Sequence, residues 1–133
     1  MKFIYSILIC CMVWSLAAPN DPANFTLDNA TTLNGDQPLA ITSTLTKTGD
    51  TLTWTQVANG NTQTGSFSIT AVSGSWDSST STGSLTYTME VLNTPCTLEL
   101  NGDSNGITAT LTINYPDVED DEFSFSASSI NYQ

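Results

Sequence analysis

From Gly106 to Tyr115 apolar and polar residues alternate without a break: Ile107, Ala109, Leu111, Ile113 and Tyr115 against Thr108, Thr110 and Thr112. A period of two puts the first set on one face of a half-buried β-strand and the second on the other. The same alternation recurs along most of the chain. Leu39, Ile41, Ser43 and Leu45 share a face, as do Leu52 and Trp54 within Thr51–Val57. Phe67, Ile69 and Ala71 point one way within Thr62–Val72, and Leu85, Tyr87, Met89 and Val91 within Ser84–Leu92. Cys96, Leu98 and Leu100 continue the pattern. The last run sets Phe123, Phe125 and Ala127 inward, then slips in phase before Ile130 and Tyr132, which predicts a bulge near Ser128 and Ser129.

Between these runs lie turn signals. Thr48-Gly49-Asp50, Asn59-Gly60 and Asn93-Thr94-Pro95 suit tight hairpins, whereas Ser73–Gly83 and Pro116–Glu122 read as longer loops. Short links favour antiparallel neighbours in chain order. The predicted fold class is therefore all-β: a single antiparallel meander of seven or eight strands. Its apolar faces meet in one core, either as a β-sandwich or as a closed up-and-down barrel, and periodicity alone does not separate the two. The expected core contains Leu52, Trp54, Phe67, Ile69, Leu85, Tyr87, Leu98, Leu111, Ile113, Phe123 and Phe125.

The first 38 residues follow another pattern. Met1-Lys2, an apolar run to Trp14 and small residues at Ser15 and Ala17 describe a secretory signal peptide over 1–17. Residues 18–38, with Pro19, Pro22 and Pro38, read as an extended arm with a short strand at Phe25–Leu27, and 39–133 as the all-β domain. Asn24-Phe25-Thr26 and Asn29-Ala30-Thr31 are glycosylation sequons, so Asn24 and Asn29 are candidate glycan sites.

Charge narrows the function classes. The chain carries 13 Asp and Glu against two Lys, with no His, for a net charge of -11. Removal of the signal leaves Lys47 as the sole basic side chain and Cys96 as the sole cysteine. A nucleic-acid partner needs clustered Lys and Arg and is excluded on that ground; an anionic membrane surface is disfavoured for the same reason. No internal disulfide forms from one cysteine, and the parity of Cys96 with Leu98 makes it a small apolar core residue. Catalysis is not expected, because triads and His-based metal sites lack their residues and no carboxylate pair faces a cleft for glycoside hydrolysis.

Hairpin connectivity sorts the remaining candidates by end. Asp50, Trp76, Asp77, Asp103 and Asn105 fall at one end and form a candidate ligand site. There an exposed indole would stack on a sugar while Asp and Asn bond its hydroxyls; the alternative is an indole tucked under its own loop. Asn101, Asp103 and Asn105, with Gly106 in sixth place, resemble the first half of a calcium loop, although Thr112 stands where the bidentate Glu belongs. Two Asn-Gly pairs also read as plain turn chemistry. Asp117, Glu119, Asp120, Asp121 and Glu122 cluster at the other end, about 30 Å away along a strand, as a second candidate calcium site or a solvated acidic turn.

These features describe a secreted, acidic, non-catalytic extracellular binding or surface protein, with carbohydrate, calcium or a cell-surface or matrix ligand as candidate partners. The alternative is a structural coat or matrix protein without a specific ligand. Outward Thr-x-Thr rows, such as Thr42-Thr44-Thr46 and Thr108-Thr110-Thr112, raise an ice-binding reading, which the twist of a meander opposes. No segment carries a family fingerprint.

Overall fold

The structure, a computed structural model, describes residues 22–133, which contain nine β-strands and no helix. They are β1 (Asn24–Asn34), β2 (Gln37–Thr48), β3 (Thr51–Ala58), β4 (Asn61–Asp77), β5 (Thr82–Val91), β6 (Thr94–Asp103), β7 (Gly106–Ile113), β8 (Asp121–Ala127) and β9 (Asn131–Tyr132). Each strand from β1 to β8 pairs antiparallel with the next, and β8 pairs back onto β1. The meander thus closes into an eight-stranded barrel, which removes the sheet edges that an open meander would expose. Of the two predicted forms, the barrel is the one adopted. The signal peptide expected over 1–17 and residues 18–21 of the expected arm lie outside the described residues.

Closure depends on β1, the segment read as an arm. Asn24 to Leu27 pair with β2 opposite Thr48 to Leu45, while Thr31 to Asn34 pair with β8 opposite Ser126 to Phe123. Between Leu27 and Ala30 the register shifts by one extra residue, so the inward set is Phe25, Leu27, Ala30 and Thr32. That bulge breaks the period of two, and one of the inward residues is a threonine. The alternation that marks the other strands is absent here for a physical reason.

A second bulge corrects the reading of β4. The register against β5 shifts between Ile69 and Ala71, which turns Ala71 outward and brings Val72 and Trp76 inward. The strand then runs on to Asp77, so the expected loop Ser73–Gly83 is paired strand except for a short turn at residues 78–81. Gly74 stands directly against β5 with φ +103°, where a Cβ would meet the carbonyl oxygen of Ser84. At the other break in phase, β8 ends at Ala127 and β9 resumes at Asn131 against Phe25 and Thr26, with Ile130 buried between them.

The inward faces pack into one cluster. Leu45, Leu52, Leu85, Tyr87, Met89, Leu98, Leu100 and Leu111 are fully buried; Ile69, Ile113 and Phe123 are partly buried against them. Trp54 stacks edge-on to Phe125 at 5.1 Å and tilted against Phe123 at 5.0 Å. Three polar residues also sit inside, each with a partner. Trp54 Nε1 donates to Ser43 Oγ at 3.0 Å, and the Ser43 and Thr32 hydroxyls bond at 2.6 Å. Lys47, 3% exposed, donates from Nζ to the carbonyls of Pro22 and Ala23, both at 3.0 Å, below the Tyr87 ring at 5.8 Å. Its position was legible: Lys47 continues the inward parity of Ser43 and Leu45.

Candidate functional site

The barrel has two unlike ends. The Trp76 end gathers the start of β1, the β2–β3 turn at Gly49-Asp50, the β4–β5 turn, the β6–β7 turn at Ser104-Asn105, and the passage from β8 to β9. Trp76 does not present an exposed ring there. The second bulge turns it inward to 2% exposure, and its Nε1 donates to Tyr132 Oη at 2.8 Å. Tyr132 Oη also bonds Ser81 Oγ at 2.8 Å, so the indole plugs the end and the last strand is tied across it.

The five residues expected to form one ligand site are only partly brought together. Asp103 and Asn105 line a shallow depression of about 210 Å³ with the hydroxyl residues Thr80, Ser81, Ser104, Ser128 and Ser129. Ile107 and Ile130 form its apolar floor. Asp77 stands opposite Thr82 on the adjoining hairpin, two strands and about 10 Å from Asp103. Its carboxylate accepts bonds from the Ser79 hydroxyl at 2.6 Å and the Ser79 amide at 2.9 Å, which hold its pKa below the usual value. Asp50 lies apart: its carbonyl accepts the Ile69 amide at 2.8 Å, eight residues and about 26 Å along β4 from Asp77.

The calcium-loop reading fails on topology. Residues 101–112 form two paired strands, with Asn101 opposite Thr108 and Asp103 opposite Gly106, so the chain never wraps around an ion. Asp103 Oδ1 instead accepts the Asn105 amide at 2.7 Å, a turn-forming bond, and Asn101 Nδ2 donates to Glu99 Oε1 at 3.2 Å. Among the described residues no three His, Cys, Asp or Glu side chains converge as a metal site.

That statement covers the acidic loop of the opposite end as well. Asp117, Glu119 and Asp120 are exposed, and Asp120 and Asp121 accept from neutral donors. Asn114 Nδ2 donates to Asp120 Oδ2 at 3.0 Å, and Tyr115 Oη to Asp121 Oδ2 at 3.1 Å, which pushes the Tyr115 pKa up because the phenol proton is held. Glu122 lies in β8, where its carbonyl accepts the Gly35 amide at 3.0 Å.

A feature missed in the sequence lies at the same end of the barrel as this loop. Gln56, Asn61 and Gln63 continue the inward parity of Trp54 and Phe67, so the barrel wall changes there from apolar to carboxamide. With Ile41, Ala58 and Asn59 they line an open depression of about 260 Å³ at this second end of the barrel, the Gln56 end. Extending the period of two beyond the last large apolar residue would have found them.

The outward threonines are in register. Thr44, Thr46 and Thr48 on β2 face Thr55, Thr53 and Thr51 on β3, which face Thr64, Ser66 and Ser68 on β4. Thr44 on this face donates to Asp28 Oδ1 at 3.0 Å, and the face belongs to a closed, twisted barrel, which opposes a flat lattice match. Of the sequon residues, Asn24 uses its side-chain oxygen to accept the Gly49 amide at 3.0 Å, and Asn29 lies at the β1 bulge. Burial raises the Cys96 thiol to about 11, with the nearby Glu90 carboxylate adding to the effect, so the thiol stays protonated and inert.

The chain matches no protein-family model, and no curated protein and no solved structure shows significant similarity to it.

Proposed function

We propose that this is an exported, non-catalytic binding protein and that the depression beside Asp103 is its ligand seat, for a neutral carbohydrate. One observation carries the reading: a carboxylate, a carboxamide and five hydroxyl side chains border an apolar floor of Ile107 and Ile130. Sugar hydroxyls both donate and accept, which this mixture of groups satisfies, and the carbon face of a pyranose suits the floor. Tyr132, 37% exposed and bonded to Ser81, stands next to the seat. Trp76 acts from below as a support, not as a stacking platform. The volume is smaller than the ~300–1,000 Å³ typical of drug-sized ligands, which fits a single terminal sugar. Export rests on the leader-like first 17 residues, and glycans at Asn24 and Asn29 belong to the same proposal.

The competing reading is a coat or matrix protein without a ligand. It draws on the barrel interior, where all eight strands contribute buried side chains. A thermal-shift screen against neutral mono- and oligosaccharides separates the two. A bound sugar at 100 times its Kd adds about 2.7 kcal/mol of stability. Asp103→Ala should remove that shift and Asp120→Ala should leave it. A flat response over the panel moves the assignment to the structural reading.

A further inference from the structure

The sequence contains four Asn-Gly pairs: Asn34-Gly35, Asn59-Gly60, Asn101-Gly102 and Asn105-Gly106. In such a pair the glycine amide nitrogen can attack the asparagine side-chain carbonyl carbon, because no Cβ blocks its approach. The attack requires a nitrogen that is not already donating a hydrogen bond, and room for a five-membered ring.

Three of the pairs lack one or both. The Gly35 amide donates to the Glu122 carbonyl at 3.0 Å. Gly102 is held in the sheet between Gly83 on β5 and Ile107 on β7, and the space over its Cα is taken by the Ser81 carbonyl and the Trp76 ring. Gly106 closes the β6–β7 turn opposite Asp103. Asn59-Gly60 differs on every count. The two residues have φ of 52° and 80°, the paired positive values of a type I′ turn, with Ala58 and Asn61 closing the hairpin on either side. The Gly60 amide has no hydrogen-bond partner among the described residues, nothing lies within 4 Å of its Cβ direction, and Asn59 is exposed.

We propose that Asn59 is a site of spontaneous deamidation in the folded protein, and that the fold protects the other three asparagines. The Gly60 nitrogen, having lost its proton to hydroxide, forms a bond to Asn59 Cγ; the Cγ–Nδ2 bond breaks and ammonia leaves. Water then adds to either carbonyl of the succinimide and opens it, giving Asp or iso-Asp at position 59. The first product puts a carboxylate on the rim of a depression lined by the neutral side chains of Gln56, Asn61 and Gln63. The second also lengthens the main chain within a two-residue turn, which loosens the Ala58–Asn61 closing pair.

The test is peptide mapping by mass spectrometry after incubation of the intact protein in mildly alkaline buffer, with a parallel sample in denaturant. In the native sample Asn59 should convert at least about tenfold faster than Asn34, Asn101 or Asn105, a difference of about 1.4 kcal/mol in barrier. In denaturant the four rates should converge. Faster native conversion at any other pair overturns the proposal. So does a native sample in which none of the four converts while the unfolded sample converts at all of them, since the turn would then be protective.

Discussion

The two ends of the barrel face the same problem, inward polar groups where the apolar core runs out, and they resolve it differently. At the Trp76 end the chain supplies the partners. Tyr132 takes the indole proton, and the carbonyls of Pro22 and Ala23 take two from Lys47. At the Gln56 end Gln56, Asn61 and Gln63 border an open depression, and the adjacent turn carries Leu92 at 93% exposure with φ +49°. One end is tied by segments from both limits of the described chain; at the other the inward carboxamides line an open depression. A substitution should therefore cost more at the first end than at the second.

The largest expected effect is at Trp76. Trp76→Ala removes a buried indole and should cost about 3–5 kcal/mol in urea unfolding. A loss below about 1 kcal/mol would show that the plug is not packed. Lys47→Met comes next, at about 2–3 kcal/mol, because it strips two carbonyls of a charged donor. Hydrogen exchange should then quicken at Gly49, whose amide bonds the Ala23 carbonyl, while amides beside Gln56 stay unchanged.

Both residues also mark where the sequence was readable. The strands with unbroken alternation, β3, β5, β6 and β7, are present with the expected faces, since nothing interrupts their period of two. The two bulges hid the rest. One extra residue near Asn29 concealed a full barrel strand as an arm, and one at Thr70 carried β4 through the expected loop and turned Trp76 inward, the tucked alternative. Asp103 and Asn105 line one depression because a tight turn joins them. Asp50 was grouped with them because hairpin order assigns an end of the barrel and carries no information on strand stagger. The stagger comes from closing the barrel, and no local pattern encodes it.

Tyr132→Phe tests the tie across the Trp76 end without a cavity. It leaves Trp76 Nε1 unpaired and should cost about 1–2 kcal/mol, accompanied by a change in Trp fluorescence. An unchanged midpoint and spectrum would mean that β9 does not hold the end closed. An alkaline titration probes the core near the other end. The Cys96 thiol is raised by burial from about 9 to about 11, so the folded state keeps a proton that the unfolded chain loses. Stability from this group is fully present below about 9 and is lost as pH rises through about 11. Native protein should therefore resist a thiol reagent at pH 8, and react with it once unfolded.

The smallest effect has the opposite sign and belongs to the Gln56 end. Leu92 and Asn93 form a turn in which both residues hold positive φ, at 49° and 64°. Asparagine and glycine tolerate this conformation, whereas the Cβ of a leucine crowds the following carbonyl. The side chain buries nothing in return, being 93% exposed. Leu92→Asn should then stabilise the barrel by about 1 kcal/mol or less, read as a higher urea midpoint at an unchanged slope. A loss of stability would show that Leu92 makes contacts that its exposure conceals. It would also break the contrast drawn between the ends, because the Gln56 end would then be held by its turns as the Trp76 end is held by its plug.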